Sequence, residues 1–286
     1  MAELCSLIAA AARRERPIDG VLLSYVDEPT PPMASLATPV FALVAQGRKR
    51  LAVGDQVFEY GAGDYLVVSV DLPVTGHFTE ASREKPCLGV GLTLRPDAIA
   101  SLLLEHRPER ATAAGLSVNR APAELVDAVV RLLRAADDPE DLRVLAPMIE
   151  REILWRLLRG PNGAAVRQIG LADSSLSHIG RAIRWIRDHY TEPFRIEELA
   201  AMVGMSASAF HRHFRTVTAM TPIQFQKKIR LQEARLRVVG LGEDVTSAGY
   251  AVGYDSPSQF SREYRREFGT PPSRDSTRLT AEPALP

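Results

Sequence analysis

Ile196-Glu-Glu-Leu-Ala-Ala-Met-Val-Gly-Met-Ser206-Ala-Ser-Ala-Phe210-His-Arg-His-Phe214 and Val245-Thr-Ser-Ala-Gly-Tyr-Ala-Val-Gly253-Tyr-Asp-Ser256-Pro-Ser-Gln-Phe260-Ser-Arg-Glu-Tyr264 are two versions of one pattern. In each, a short helical segment runs to a glycine, Gly204 or Gly253, where a left-handed residue closes the turn at little cost. A serine follows and serves as N-cap of a second helix, with its hydroxyl accepting from an otherwise orphaned amide. Ser206 and Ser256 stand 50 residues apart. Each second helix carries an aromatic pair four residues apart, Phe210/Phe214 and Phe260/Tyr264, which places both rings on one buried face. The opposite faces then carry Ala207, Ser208, His211 and Arg212 in one unit, and Pro257, Ser258, Gln259 and Arg262 in the other. A small, polar first turn followed by arginine suits a helix whose N-terminal end enters the major groove. Arginine bonds guanine edges in a bidentate manner, and glutamine bonds adenine. A lone helical arginine is ordinarily just solvated. Its repetition at matching places shifts the balance toward DNA. His211 and His213 are two apart and face different ways, so they do not form a zinc pair.

Between the units runs Pro222-Ile-Gln-Phe-Gln-Lys-Lys-Ile-Arg-Leu-Gln-Glu-Ala-Arg-Leu-Arg-Val-Val239. Pro222 fits the first position of a helix. About 18 residues at about 1.5 Å each give a rod of about 27 Å, a length of the order needed to set two readers roughly one DNA turn, about 34 Å, apart. Lys227, Lys228 and Arg230 on this rod suit phosphate contact and plain solvation equally well.

Upstream the texture differs. Val21–Val26, Val40–Ala45, Arg48–Val53, Gln56–Tyr60, Tyr65–Val70, Val74–Thr79 and Cys87–Leu94 are short runs rich in β-branched and aromatic residues, separated by Gly, Pro and Asp. Gly54-Asp55 reads as a hairpin turn, and Gly61-Ala62-Gly63-Asp64 as the next turn. This spacing predicts an antiparallel barrel or sandwich. Alternation points Phe41, Leu43, Tyr65 and Val67 inward as candidate effector-pocket residues, with His77 as a further polar candidate. Helices are expected over Leu4–Arg16, Asp97–His106, Pro122–Ala135 and Val144–Arg159. The last two carry apolar stripes through Leu125, Val129, Leu132 and Leu133, and through Leu145, Ile149, Ile153 and Leu157. Gly160-Pro161-Asn162-Gly163 and a small-residue stretch through Ser177 read as the end of a domain and a linker. Arg274–Pro286 reads as a frayed end.

At 286 residues and 45% hydrophobic content the chain suits about two packed domains rather than disorder. No apolar run approaches the roughly 20 residues that cross a bilayer, and the basic residues follow rather than precede the apolar start, the reverse of an export signal. Cys5 and Cys87 are too few for a disulfide framework and suit a reducing cytoplasm, either as ordinary thiols or as a sensor. Residues 174–275 hold 15 Lys+Arg against 11 Asp+Glu, whereas residues 1–173 hold 19 against 23. The C-terminal part is therefore the one expected to meet a polyanion. Only His77 and His106 stand in the N-terminal part, too few to build a metal site, and no cofactor is expected.

Residues 178–274 resemble the DNA-binding domain of the AraC/XylS family of bacterial regulators. The resemblance rests on Ala-Val-Gly253-Tyr254-Asp-Ser256-Pro-Ser258-Gln-Phe260-Ser-Arg262-Glu-Tyr-Arg-Arg-Glu-Phe268-Gly269-Thr-Pro271-Pro. Ala248-Gly249-Tyr250 departs from the family's usual Ile-Ala, and a mid-helix glycine costs about 1 kcal/mol relative to alanine. Residues 3–160 resemble the cupin-type N-terminal domain of one AraC subgroup, through Val44-Ala-Gln46-Gly47-Arg-Lys49-Arg-Leu51, Gly54-Asp55, Tyr60 and Asp64-Tyr65-Leu66-Val-Val68-Ser-Val-Asp71-Leu72-Pro73-Val74. The resemblance implies an α+β chain. A cupin-like barrel with a helical dimerisation element would span 1–160, a linker 161–177, an all-α domain with two helix-turn-helix units 178–275, and a tail 276–286. It further implies a cytoplasmic, non-enzymatic transcriptional regulator. Its partners would be a double-stranded DNA operator, RNA polymerase, a small-molecule effector and a second copy of itself. An effector-independent architectural regulator and a cupin enzyme with a DNA-binding tail are the competing readings.

Overall fold

The computed structural model describes residues 1–12, 18–105, 114–171 and 175–279. After helix α1 (Ala2–Ala11), the alternating segments form nine strands: β1 (Val21–Val26), β2 (Met33–Ala37), β3 (Val40–Gln46), β4 (Arg48–Val53), β5 (Gln56–Gly61), β6 (Asp64–Val68), β7 (Leu72–Glu80), β8 (Cys87–Thr93) and β9 (Leu116–Arg120). They pair antiparallel into a five-stranded sheet, β1-β8-β3-β6-β9, and a four-stranded sheet, β2-β7-β4-β5. The barrel is thus an open one, with two sheets rather than one closed cylinder. Strands β2 and β9 are additions to the seven read from sequence. Both are edge strands, and an edge strand needs less of the β-branched signal that marks a buried one.

Two glycines set the corners. The register Val53↔Gln56 leaves a two-residue turn with Gly54 at φ +56°, the region that favours glycine in hairpins. Gly47, at φ +83°, passes the chain from one sheet to the other. A Cβ there would lie 2.5 Å from the Glu80 carbonyl oxygen and 2.8 Å from Cys87 Cβ.

Helices α2 (Pro96–Glu105), α3 (Ala123–Ala135), α4 (Pro139–Arg159) and α5 (Gly163–Gly170) complete the N-terminal part. His106 lies outside the described residues. Helix α4 begins at Pro139, earlier than expected at Val144, because Asp138 caps it by accepting from the Glu140 and Asp141 amides. Residues 163–170, expected as linker, are helical and pack on α2 and α4. One face of the five-stranded sheet packs against these helices. Phe41, Tyr65 and Val67 share a single apolar core with Leu4 and Ile8 of α1, Leu125 and Val129 of α3, and Ile153 and Leu157 of α4. Truncating one such aliphatic side chain to alanine costs about 2–5 kcal/mol. Leu145, expected in the stripe of α4, is 38% exposed.

The C-terminal part holds α6 (Ser175–Asp188), α7 (Ile196–Met202), α8 (Ala207–Thr218), α9 (Pro222–Arg235), a π-helical turn (Leu236–Gly240), α10 (Val245–Ala251), α11 (Pro257–Phe268) and α12 (Pro272–Leu279). The expected frayed end is therefore helical through Leu279, and residues 280–286 lie outside the described residues. By its contacts the chain divides into two units, Met1–Arg181 with Arg212–Met220, and Ala182–His211 with Thr221–Pro286.

Candidate functional site

The second helix-turn-helix unit assembles from its turn outward. Asp244 caps α10 by accepting from the Thr246 and Ser247 amides, each at 3.0 Å. After α10, Gly253 takes φ +88°, and a Cβ there would stand 2.3 Å from the Thr191 carbonyl oxygen. Arg230 of α9 pins the same turn. Its guanidinium donates to the carbonyls of Gly253 at 2.7 Å, Tyr190 at 2.6 Å and Thr191 at 3.0 Å. Ser256 then caps α11, its hydroxyl accepting from the Gln259 amide at 3.4 Å. Phe260 and Tyr264 are fully buried with Leu231, Ala234, Val252 and Tyr254. On the opposite face Pro257, Ser258, Gln259 and Arg262 are exposed. An amphipathic helix fixed by its aromatic side presents the other side in one orientation.

The first unit repeats the local chemistry. Gly204 takes φ +72°, and Ser206 accepts from the Ala209 amide at 3.3 Å. Phe210 and Phe214 are fully buried. Ser208, His211 and Arg212 are exposed and Ala207 half-buried. Among the described residues the guanidinium groups of Arg212 and Arg262 make no ion pair and no hydrogen bond, which leaves both available to an external acceptor.

The two lysines of α9 are differently employed. Lys227 donates to Glu263 at 2.8 Å and Lys228 to Glu267 at 2.6 Å, tying α9 to α11. Acidic residues of α11 come within reach of both lysines only in the folded unit. Lys227 keeps a 40% exposed side chain, whereas Arg230, expected beside them, is engaged with the backbone carbonyls of the turn. Glu263 also accepts from Tyr254 at 2.9 Å and from Gln259 at 3.2 Å. Burial pushes the Glu263 carboxyl up, but the hydrogen bonds from Lys227, Gln259 and Tyr254 outweigh it and hold the group below the usual carboxylate range. Gln259, a candidate base reader, is thereby held along the helix rather than away from it.

Within the N-terminal part, a cavity of about 350 Å³ lies between the two sheets. Its wall takes Val40, Ala42, Leu66 and Val68 from the five-stranded sheet, and Lys49, Leu51, Val74 and Phe78 from the other. Phe41, Tyr65 and Val67 do not line it; they face the helices. The alternation was right and its phase was one residue out, and such a slip reverses every side chain of a strand. Leu43 alone of the four touches the wall. His77 sits between the lining residues Gly76 and Phe78 and is not among the lining residues. Lys49, Tyr60 and Cys87 are wall residues that sequence reasoning missed. Burial pushes the Cys87 thiol up to about 11, with Lys49 acting in the opposite direction, and burial likewise raises the Cys5 thiol. Neither is a ready thiolate. No group of three His, Cys, Asp or Glu side chains converges among the described residues, and no described helix is long and apolar enough to cross a membrane.

Comparison with known proteins matches this architecture on both sides. The family model of the AraC-type transcriptional regulator N-terminus matches residues 17–165, and a helix-turn-helix domain model matches residues 199–278. The HTH-type transcriptional activator RhaS of Klebsiella pneumoniae is 27% identical over 194 residues, 65% of this chain and 67% of that protein. RhaS of Salmonella arizonae is 28% identical over 155 residues, 54% of each. Among solved structures, an apo form of ToxT from Vibrio cholerae covers 93% of this chain and all of that one at 11% identity, with a TM-score of 0.55. ToxT bound to an unsaturated fatty acid covers 95% at 11% identity, with a TM-score of 0.54. These two likenesses are of fold. The N-terminal family model spans more than half of the chain, and the chain belongs to the AraC-type transcriptional regulators, proteins that bind DNA through helix-turn-helix units.

Proposed function

We propose that this regulator reads its operator with the N-terminal halves of α8 and α11, using Ala207, Ser208, His211 and Arg212 in one half-site and Pro257, Ser258, Gln259 and Arg262 in the other. The observation that carries this reading is the repeated unpaired arginine on an exposed face, opposite a fully buried aromatic pair. Such an arginine matches the two acceptors of a guanine edge. Replacing Arg262 by alanine is expected to weaken specific operator binding by about 1–3 kcal/mol and binding to random DNA less. Electrophoretic mobility shifts on a site obtained by in-vitro selection measure this. Equal losses on both DNAs reduce Arg262 to a phosphate contact.

The N-terminal barrel is the effector-sensing part of this reading. Its support is an apolar cavity between two sheets in a domain of the AraC-type N-terminal family. Effector binding shifts the pose of the DNA-binding units, and the DNA-bound protein then recruits or blocks RNA polymerase. A homodimer is proposed through α3 and α4. There Leu145, Met148 and Ile149 line an open groove beside Arg131, Arg134 and Glu152, and Val144 and Met148 are more than half exposed. The protein acts in the cytoplasm, where its DNA lies, and carries no catalytic role.

A further inference from the structure

We infer that the barrel cavity recognises a small apolar monocarboxylate, with Lys49 as the counter-ion of its head group. The inference rests on the effector-sensing reading of the barrel and adds the chemical class of the effector. The wall of the cavity is mainly apolar, with the neutral polar side chains of Ser24, Thr30 and Ser35 on it; among the described residues that line it, Lys49 is the single charged one and none is Asp or Glu. The position of Lys49 follows from the strand register. It pairs across the sheet with Tyr60 on β5 and with Phe78 on β7, so its side chain emerges on the inner face between two rings. Its ammonium lies 4.8 Å from the Phe78 ring centroid. Among the described residues it has no ion pair and no hydrogen bond. Its neighbours Arg48 and Arg50, which point the other way, pair with Glu80 and Glu59.

A half-buried amine facing a mainly apolar wall without a counter-ion is an unusual thing to keep, since burial disfavours its charged form; for Lys49 burial pushes the pKa down, offset in part by Cys87. The face of one aromatic ring compensates only weakly. A ligand carboxylate supplies the missing partner. The Tyr60 hydroxyl, in a residue only 2% exposed and without a hydrogen bond among the described residues, is a second donor beside the same position. Carboxylates use such charge-assisted donors best. A cationic or dicarboxylic ligand finds no matching charged group among the described residues of the wall. The volume accommodates a ligand of about ten heavy atoms with its apolar body against Leu51, Val74 and Leu66.

The test is calorimetric titration of the full-length protein with 3-phenylpropanoate and octanoate, each against its matched primary amide. The expected result is binding of at least one acid, about tenfold or more tighter than its amide. In Lys49→Met, whose unchanged melting behaviour or higher melting temperature establishes folding, that preference disappears while amide binding persists. An amide that binds as well as its acid overturns the carboxylate assignment and leaves the effector-sensing barrel intact. So does a Lys49→Met protein that keeps the preference. Failure of all four compounds to bind overturns the assignment, while the effector-sensing reading, which rests on the cavity and the family match, stands apart from it.

Discussion

Lys49 and Glu263 show how a single side chain changes meaning between sequence and fold. In the string Arg48-Lys49-Arg50 the three cations look alike. In the sheet two of them reach solvent and acidic partners, and the middle one enters an apolar cavity. Replacing Lys49 by methionine is therefore expected to stabilise the N-terminal part by on the order of 1 kcal/mol, because a desolvated amine gives way to an apolar chain of similar length. Urea unfolding measures it, and a loss of stability is the contrary outcome. Glu263 behaves in the opposite sense. A carboxyl held low in the folded protein contributes stability that is fully present above its unfolded pKa of about 4.3 and fades as pH falls through the lower folded value. Glu263→Gln should cost on the order of 1 kcal/mol near neutrality, discounted because Lys227 remains 40% exposed. The gap from wild type should close between about pH 5 and pH 3. Denaturant midpoints across that range check it, and a gap independent of pH contradicts it.

At the scale of elements, the C-terminal helices are held by contacts that propensity does not report. Gly249 inside α10 is unfavourable by helix propensity alone, and substituting alanine there looks stabilising by about 1 kcal/mol. The packing reverses the sign. A Cβ at this position would lie 2.9 Å from Phe260 Cδ1 and 3.1 Å from Cγ, and Phe260 is fully buried, so the ring has no room to retreat. Gly249→Ala is expected to destabilise the unit by about 1–3 kcal/mol and to weaken operator binding with it, as read by thermal melting and mobility shift together. Helix α12 is a second case. Asp275, 3% exposed, accepts from the Tyr264 hydroxyl at 2.8 Å and from Arg235 at 2.9 Å, while Arg235 also lies 4.9 Å from the Phe268 ring. One carboxylate thus latches α9, α11 and α12. Asp275→Ala leaves a largely buried guanidinium without its counter-ion, and a cost of about 3 kcal/mol is expected. A loss below about 0.5 kcal/mol by urea unfolding would show the latch to be idle.

For the whole molecule, the division of labour is between an N-terminal part that holds, among the described residues, two sheets and five helices, and a C-terminal part of short capped helices. If α3 and α4 form the proposed dimer interface, sedimentation at micromolar concentration gives a dimer, and Met148→Glu shifts it to monomer without loss of cooperative melting. A wild-type monomer at that concentration removes the interface. The residues that determined themselves from sequence are those governed by local rules. Gly253 and Gly54 take the positive φ their turns require. Ser256 caps its helix, and aromatic pairs four apart define a buried face and hence an exposed one. Seven strands and the paired helix-turn-helix units were legible for the same reason, since turn chemistry, capping and periodicity are encoded within a few residues. Tertiary structure decided what depends on distant partners. It set which of two strand faces meets the helices and which meets the cavity, a choice that period-two alternation leaves open by symmetry. It also turned Lys49 toward the cavity, paired Lys227 and Lys228 with α11, and made Gly249 a packing requirement rather than a weakness.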